Sequence, residues 1–259
     1  MITSISNQKV KDVVRLAKKA RERLEQGVFL AEGLRLYQEM PRERLVGTFV
    51  SESFLSRKEH RQLLEGIAYE EVSDAVFKQM CDTQSPQGIL GIVHRPEYEW
   101  EDLIQSEKTL LLILEGIQDP GNLGTMFRAG EGAGVTGIIM DKGCVDLFAP
   151  KTVRSTMGSI CRVPYYRTNH LQETICELKR QRTTLYAAHL SAGKYYDEFD
   201  YRGKTAFLIG SEGNGLTEET AHLADAYLKI PMGGKLESLN AALAAGILMY
   251  EAQRQRRVR

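Results

Sequence analysis

The stretch Phe207-Leu208-Ile209-Gly210-Ser211-Glu212-Gly213-Asn214-Gly215-Leu216 runs from an apolar segment into a turn carrying three glycines in six residues. Ala206 to Ile209 reads as a short buried strand, and a helix is expected from near Thr217. Without a Cβ at Gly210, Gly213 and Gly215, bare backbone can approach a ligand closely, and φ can turn positive where needed. Taken alone, the turn is equally a tight strand-to-helix connection.

It is not alone. A second strand-like run, Ala226 to Ile230, ends in Ile230-Pro231-Met232-Gly233-Gly234, and Ser238-Leu239-Asn240 then opens a helix. Two glycine turns at the ends of two strands form a crevice, the usual ligand position in an open α/β sheet. Ser238 is expected as the N-cap of the last helix, with Asn240 in its first turn. Leu239, Leu243, Ile247 and Tyr250 recur at helical spacing, and Ala242, Ala245 and Gly246 are small enough for close packing.

A chain of 259 residues with 42% hydrophobic content can bury a core, as one large domain or two unequal ones. No run approaches the ~18 apolar residues of a membrane span, and the start lacks a signal-peptide pattern, so a cytoplasmic protein without membrane contact is expected. Cys81, Cys144, Cys161 and Cys176 show no C-x-x-C pairing, and no metal site is expected. Acidic and basic residues balance at 34 each, but unevenly along the chain. Lys9, Lys11, Arg15, Lys18, Lys19, Arg21 and Arg23 face only Asp12 and Glu22, and Arg254, Arg256, Arg257 and Arg259 close the sequence. Either cluster is a solvated face or a phosphate-neutralising one; together they favour a nucleic acid.

In chain order, residues 7–25 read as one amphipathic helix on Val10, Val13, Val14, Ala17, Ala20 and Leu24, with the basic residues outside. Strands at 28–30, 45–50 and 88–93, with helices at 33–37, 57–64 and 73–80, make a small α/β domain over residues 1–95. Pro96 and the acidic residues after it suggest a linker at 96–108. Thr109 to Leu114 opens a second domain, 109–259, as an apolar strand without alternation, which suits burial on both faces of a parallel sheet. Further strands at 137–140, 184–189, 205–209 and 226–230 alternate with helices near 124–133, 150–158, 170–181 and 217–224. After the first strand, Gln118-Asp119-Pro120-Gly121-Asn122-Leu123-Gly124 makes a turn. Asn122 or Thr125 is expected to cap the next helix, leaving Arg128 near its first turn. Gly130, Gly132 and Gly134 follow, but they end a helix instead of joining a strand to one, which is not the dinucleotide arrangement.

In this order, Gln118 to Ala129, Ile209 to Leu216, and Ile230-Pro231-Met232 with Ser238-Leu239-Asn240 resemble the three motifs of the SpoU (TrmH-type) branch of the SPOUT RNA methyltransferases. The likeness spans 109 to about 254. Ile5-Ser6-Asn7 with Val10-Lys11, and Phe29-Leu30-Ala31-Glu32-Gly33, more weakly resemble the L30e-like substrate-binding domain of many members. Glu115-Gly116 departs from the pattern of many members.

The resemblance implies a parallel α/β domain with a deep C-terminal trefoil knot whose pocket holds S-adenosylmethionine. On this chain the cofactor contacts would be Gly210, Ile230 and Leu239, with Leu190, Glu212, Gly213, Asn214 and Met232 nearby. It also implies methyl transfer to a ribose 2′-OH, with Arg128 activating the hydroxyl and Asn122, Glu212, Ser238 and Asn240 completing a polar shell. An arginine is a poor proton acceptor, so Arg128 is expected to position phosphate and hydroxyl. Lys9, Lys11, Arg15, Lys18, Lys19 and Arg21 are expected RNA contacts, and a homodimer is implied. The leading expectation is methylation of ribosomal RNA. A transfer-RNA methyltransferase and a non-catalytic RNA-binding protein on the same fold are the alternatives, and a dehydrogenase is disfavoured by the missing strand–GxGxxG–helix unit.

Overall fold

The computed structural model describes residues 1–104, 106–236 and 238–257, so Arg259 of the C-terminal basic cluster lies outside the described residues. The chain divides into two compact units: Met1–Pro96 with Asp146–Cys161, and Glu97–Val145 with the chain from Arg162 onward.

The first unit holds β1 (Val28–Glu32), β2 (Leu45–Ser51), β3 (Glu70–Val72) and β4 (Ile89–His94), in the order β1-β4-β2-β3. β4 is antiparallel to β1 and β2, and β2 is parallel to β3. The single helix expected over 7–25 is two, Gln8–Lys18 and Ala20–Gln26, broken where Lys19 is extended at φ −120° and ψ 114°. The break resets the helical phase. Val10, Val13 and Leu16 are buried as expected, but Ala20 and Leu24 are exposed and Arg23 is buried instead. Arg23 is therefore no part of the outer basic face: its guanidinium pairs with Asp146 at 2.5 Å and donates to the Leu16 carbonyl. A buried cation is tolerated only when paired and hydrogen-bonded in this way. The expected helix at 150–158 forms as Pro150–Thr156, and its Arg154 reaches Asp82 at 2.7 Å and Glu32 at 3.4 Å.

The second unit is built on a sheet of β5 (Leu110–Leu114), β6 (Gly137–Asp141), β7 (Tyr165–Thr168), β8 (Thr184–Ala188), β9 (Lys194–Tyr195), β10 (Thr205–Ile209) and β11 (Ala226–Lys229). Its order is β7-β6-β5-β10-β8-β11-β9, and every pairing is parallel. β5 and β10 lie at the centre, buried along their whole length, which is why their sequences show no alternation. Leu111, Ile113, Ala206 and Leu208 face one layer with Ile175 and Leu178 of the helix Leu171–Arg180. The edge strands β7 and β9 escape the sequence reading because they are short and partly polar. Within the expected linker, Trp100–Ile104 is helical, and its Leu103 is fully buried in this unit's core.

The last helix, Ala241–Arg257, packs against Pro120–Ala133. The core stripe expected on Leu239, Leu243, Ile247 and Tyr250 is displaced around the helix. Ala241, Ala242, Ala245, Leu248, Met249 and Ala252 are buried, whereas Leu243 and Tyr250 are 59% and 48% exposed. Alanines let the two helices approach closely, and Tyr250 lies where a side chain on Gly132 would sit.

Candidate active site

β10, β8 and β11 are parallel neighbours, so their C-terminal ends share one edge of the sheet. Gly210 directly follows β10, Ile230 directly follows β11, and Leu190 stands two residues past β8. The His189 N–H donates to the Leu228 carbonyl at 3.0 Å, tying two of these ends together. Leu190 is 68% exposed, and Ile230, Met232 and Leu239 are half-buried.

The glycine turn closes on itself. Ser211 N–H donates to the Gly215 carbonyl at 3.1 Å, Gly215 N–H returns to Ser211 at 2.9 Å, and Asn214 N–H donates to Ser211 Oγ at 3.2 Å. Gly215 has φ +69°, and a Cβ on Gly210 would collide with the backbone of Gly215 and Leu216. Gly213 has open space on its Cβ side, so the turn itself makes no demand for glycine there.

Glu115, to which the sequence reading gave no role, fixes the far end of this turn. Its buried carboxylate accepts from Thr217 N–H at 2.8 Å, Thr217 Oγ1 at 2.9 Å and Thr220 Oγ1 at 2.5 Å. The available signal was a lone acidic residue ending an apolar strand, since a buried carboxylate requires donors.

The three sequence motifs meet in one hydrogen-bond relay. Glu212 accepts from Asn122 Nδ2 at 2.7 Å and, more weakly, from the N–H groups of Gln118 and Asp119 at 3.3 and 3.4 Å. Asn122 Oδ1 in turn accepts from Asn240 Nδ2 at 2.9 Å. Asn240 Oδ1 accepts from the N–H groups of Ala242 and Leu243 at 2.9 and 3.2 Å. Asn240 is thus the N-cap of the last helix, and the exposed Ser238 is not, because Asn240 already satisfies the first-turn donors. Each amide is oriented by what it accepts and donates, leaving one N–H on Asn122 and one on Asn240 for a ligand. Burial works to raise the Glu212 carboxyl, but the donors from Asn122, Gln118 and Asp119 outweigh it, holding the group below the usual carboxylate range.

Asp119, not Asn122 or Thr125, caps the helix Pro120–Ala133: its Oδ1 accepts from Asn122 N–H at 2.8 Å, with Pro120 in the first turn. That frees the Asn122 side chain for the relay. It also places Arg128 about two turns into the helix instead of at its start. Arg128 is exposed and has no ion pair or hydrogen-bond partner for its guanidinium among the described residues.

The basic residues divide in two. On the first helices, Lys9 pairs with Glu70, Arg15 with Asp12 and Arg21 with Glu25, whereas Lys11, Lys18 and Lys19 are exposed without a carboxylate among the described residues. At the C-terminus, Arg254 pairs with Glu251 at 2.7 Å. Arg256 donates to the carbonyls of Tyr201, Lys108, Thr109 and Gly203, so both belong to the fold and not to a free phosphate-binding face.

Comparison with known proteins gives the same picture. Residues 109–250 match the family model of the SpoU rRNA Methylase family, and residues 7–91 match that of the MRM3-like substrate binding domain. The chain is 36% identical over 252 residues to the 23S rRNA (guanosine(2553)-2′-O)-methyltransferase RlmP of Bacillus subtilis, covering 96% of this chain and 97% of that protein. It is 29% identical to the human mitochondrial rRNA methyltransferase 3, covering 98% of this chain and 74% of that one. Among solved structures, it superposes with a TM-score of 0.86 on the SpoU methyltransferase AviRb of Streptomyces viridochromogenes in complex with AdoMet, at 26% identity over 96% of this chain and 98% of that one.

Proposed function

The chain belongs to the SpoU rRNA Methylase family, and from that membership we propose that it transfers a methyl group from S-adenosylmethionine to a ribose 2′-OH of 23S ribosomal RNA. The observation that carries the reading is the Glu212–Asn122–Asn240 relay, which draws the three family motifs into one polar site.

The cofactor fits the strand ends. Leu190, Ile230, Met232 and Leu239 offer an apolar wall, and the turn from Gly210 through Glu212 and Gly213 to Asn214 presents backbone beside it. When bound, S-adenosylmethionine would supply a methyl group on a sulfonium: the C–S electron pair would leave with sulfur, the 2′-oxygen would bond to carbon, and the hydroxyl proton would pass to solvent water. This chain's residues orient the nucleophile. Arg128, a planar guanidinium without a protein partner among the described residues, holds the phosphate beside the reactive ribose. The free N–H groups of Asn122 and Asn240 place the sugar, Glu212 keeps Asn122 in orientation, and Ser238 adds a hydroxyl at the entrance. Orientation of this kind converts a bimolecular encounter into a near-unimolecular step.

The first unit, Met1–Pro96 with Asp146–Cys161, serves as the RNA-binding domain. Lys11, Lys18 and Lys19, with Lys9, Arg15 and Arg21 beside them, supply sequence-independent attraction to phosphate. The C-terminal helix is threaded in the family's trefoil knot, a reading supported by the anchoring of its end: Gln255 bonds Tyr201 and Phe199, and Arg256 the carbonyls around them. The exposed Leu243 and Tyr250 on that helix support a homodimer. No helix among the described residues is long and apolar enough to cross a membrane, and the cytoplasm is the compartment where such a substrate is met.

Incubation with methyl-labelled S-adenosylmethionine and separately purified undermodified ribosomal and transfer RNA tests the reading. Label on ribosomal RNA, abolished by Arg128→Ala with cofactor binding retained, is the expected result. Label confined to transfer RNA would redirect the substrate, and cofactor binding with no transfer to either would contradict the activity.

A further inference from the structure

We propose that the cleft of the first unit flanked by Arg35 and Arg57 is a nucleotide-reading site that holds an unpaired base of the RNA substrate. The inference rests on the RNA-methylating reading above and adds where sequence would be recognised.

The cleft has a volume of about 410 Å³, and Leu34, Phe54 and Pro86 give it an apolar lining. That is within the roughly 300–1,000 Å³ of sites that enclose small ligands. Arg35 and Arg57 stand on it, both exposed and both without a carboxylate or hydrogen-bond partner for the guanidinium among the described residues. No acidic residue lines it among the described residues. The Asp74 carboxylate, behind its rim, is engaged by the hydroxyl and N–H of Ser53.

Two polar groups are already oriented. Gln87 Oε1 accepts from Leu34 N–H at 2.8 Å, which fixes the amide and leaves both Nε2 hydrogens unpaired among the described residues. His60 stacks on Phe54 with centroids 3.9 Å apart, and its Nδ1–H donates to the Phe54 carbonyl at 2.9 Å. That tautomer leaves Nε2 as an acceptor. A base edge carries carbonyl and ring-nitrogen acceptors beside amino donors, so one donor and one acceptor over an apolar floor match it, with the arginines taking flanking phosphates. The walls are held in place: Ser51 N–H donates to the Gly88 carbonyl at 2.9 Å and Gly33 N–H to Ile89 at 3.0 Å.

A second cleft of about 280 Å³ shares Arg35 and Gln87 and adds Ser85 and Thr83; its Arg154 is already paired with Asp82 and with Glu32 on its wall, so Arg35 is the cation it offers a strand beyond the held base. The helix face is a row of cations, Lys9, Arg15 and Arg21 paired with carboxylates and Lys11, Lys18 and Lys19 exposed without one among the described residues. Its contribution is attraction; the cleft is where bases are told apart.

The test uses the full-length chain and a labelled, undermodified 23S ribosomal RNA transcript, with calorimetric binding of S-adenosylmethionine as the check on folding. Arg35→Ala with Arg57→Ala should weaken RNA binding about tenfold and flatten the slope of log K against log salt by about 1.4, two phosphates at roughly 0.7 each on a single strand. Gln87→Glu keeps the acceptor for Leu34 and replaces the outward donor, and should weaken binding by a further factor of about ten. RNA affinity unchanged in both variants, while the wild type methylates that RNA, would overturn the cleft and leave the activity standing. A wild type that binds through these residues and transfers no methyl would overturn the activity and leave the cleft.

Discussion

Asn240 Nδ2 donates to Asn122 Oδ1 at 2.9 Å across 118 residues of chain, joining the cap of the last helix to the first turn of the helix Pro120–Ala133. Because Asn122 also donates to Glu212, one side chain holds both of the other motifs.

Asn122→Ala should therefore disable the site beyond its own contact. Glu212 loses its shortest donor and Asn240 its acceptor, so turnover should fall about a hundredfold. The relay is largely solvent-accessible, so unfolding free energy should drop by only about 1 kcal/mol. Parallel measurement of methyl transfer and urea unfolding checks the split; an equal loss in both would make Asn122 a mere structural residue.

The depressed Glu212 carboxyl has a pH consequence. A carboxyl whose folded pKa lies below its unfolded value, about 4.3, stabilises the fold fully above that value. The contribution disappears as pH falls through the folded pKa. Glu212→Gln removes the titration, so the stability difference between wild type and variant should be constant above about pH 5 and shrink toward acid. Unfolding curves from pH 7 to pH 3 check it, and a difference that grows toward acid would contradict the assigned direction.

Two glycines of one turn should respond oppositely. Gly210→Ala places its Cβ on the Gly215 and Leu216 backbone and should cost about 3 kcal/mol, with loss of cofactor binding. Gly213→Ala meets open space at an ordinary φ and should stay within about 0.5 kcal/mol. Thermal unfolding with and without S-adenosylmethionine reads both.

Arg256 bonds four carbonyls, at 2.8 Å to Tyr201, 2.6 Å to Lys108, 3.1 Å to Thr109 and 2.7 Å to Gly203. Arg256→Met removes a charged donor from all four; Tyr201, Thr109 and Gly203 keep a bond from Thr205, so the loss should destabilise the chain by about 1–3 kcal/mol. Arg256→Lys, with a point charge in place of a fork, should recover only part of it. Denaturant midpoints of the two variants settle whether the residue is structural; a loss of RNA affinity without loss of stability would return it to the phosphate-binding surface.

The sheet was legible because β5 and β10 are apolar without interruption, and the motifs because glycine, asparagine and proline mark the strand ends. What escaped was phase and pairing. Lys19 breaks an expected single helix through a backbone conformation that no neighbouring glycine or proline announces, and so exchanges Leu24 for Arg23 in the core. Asn240 takes the cap expected of Ser238, since both residue types suit that position and only the three-dimensional path decides between them. Arg254 and Arg256 read as free cations because their partners, a glutamate on the same helix and carbonyls far along the chain, cannot be inferred from charge alone.

The most direct measurement is the identity of the methylated atom. A 2′-O-methyl group removes the nucleophile of alkaline RNA cleavage, so 23S ribosomal RNA labelled by the chain from S-adenosylmethionine should release its label in an alkali-resistant dinucleotide, and Arg128→Ala should leave that fraction empty. Label recovered in alkali-sensitive mononucleotides would mean methylation of a base and would contradict the account of how this site works.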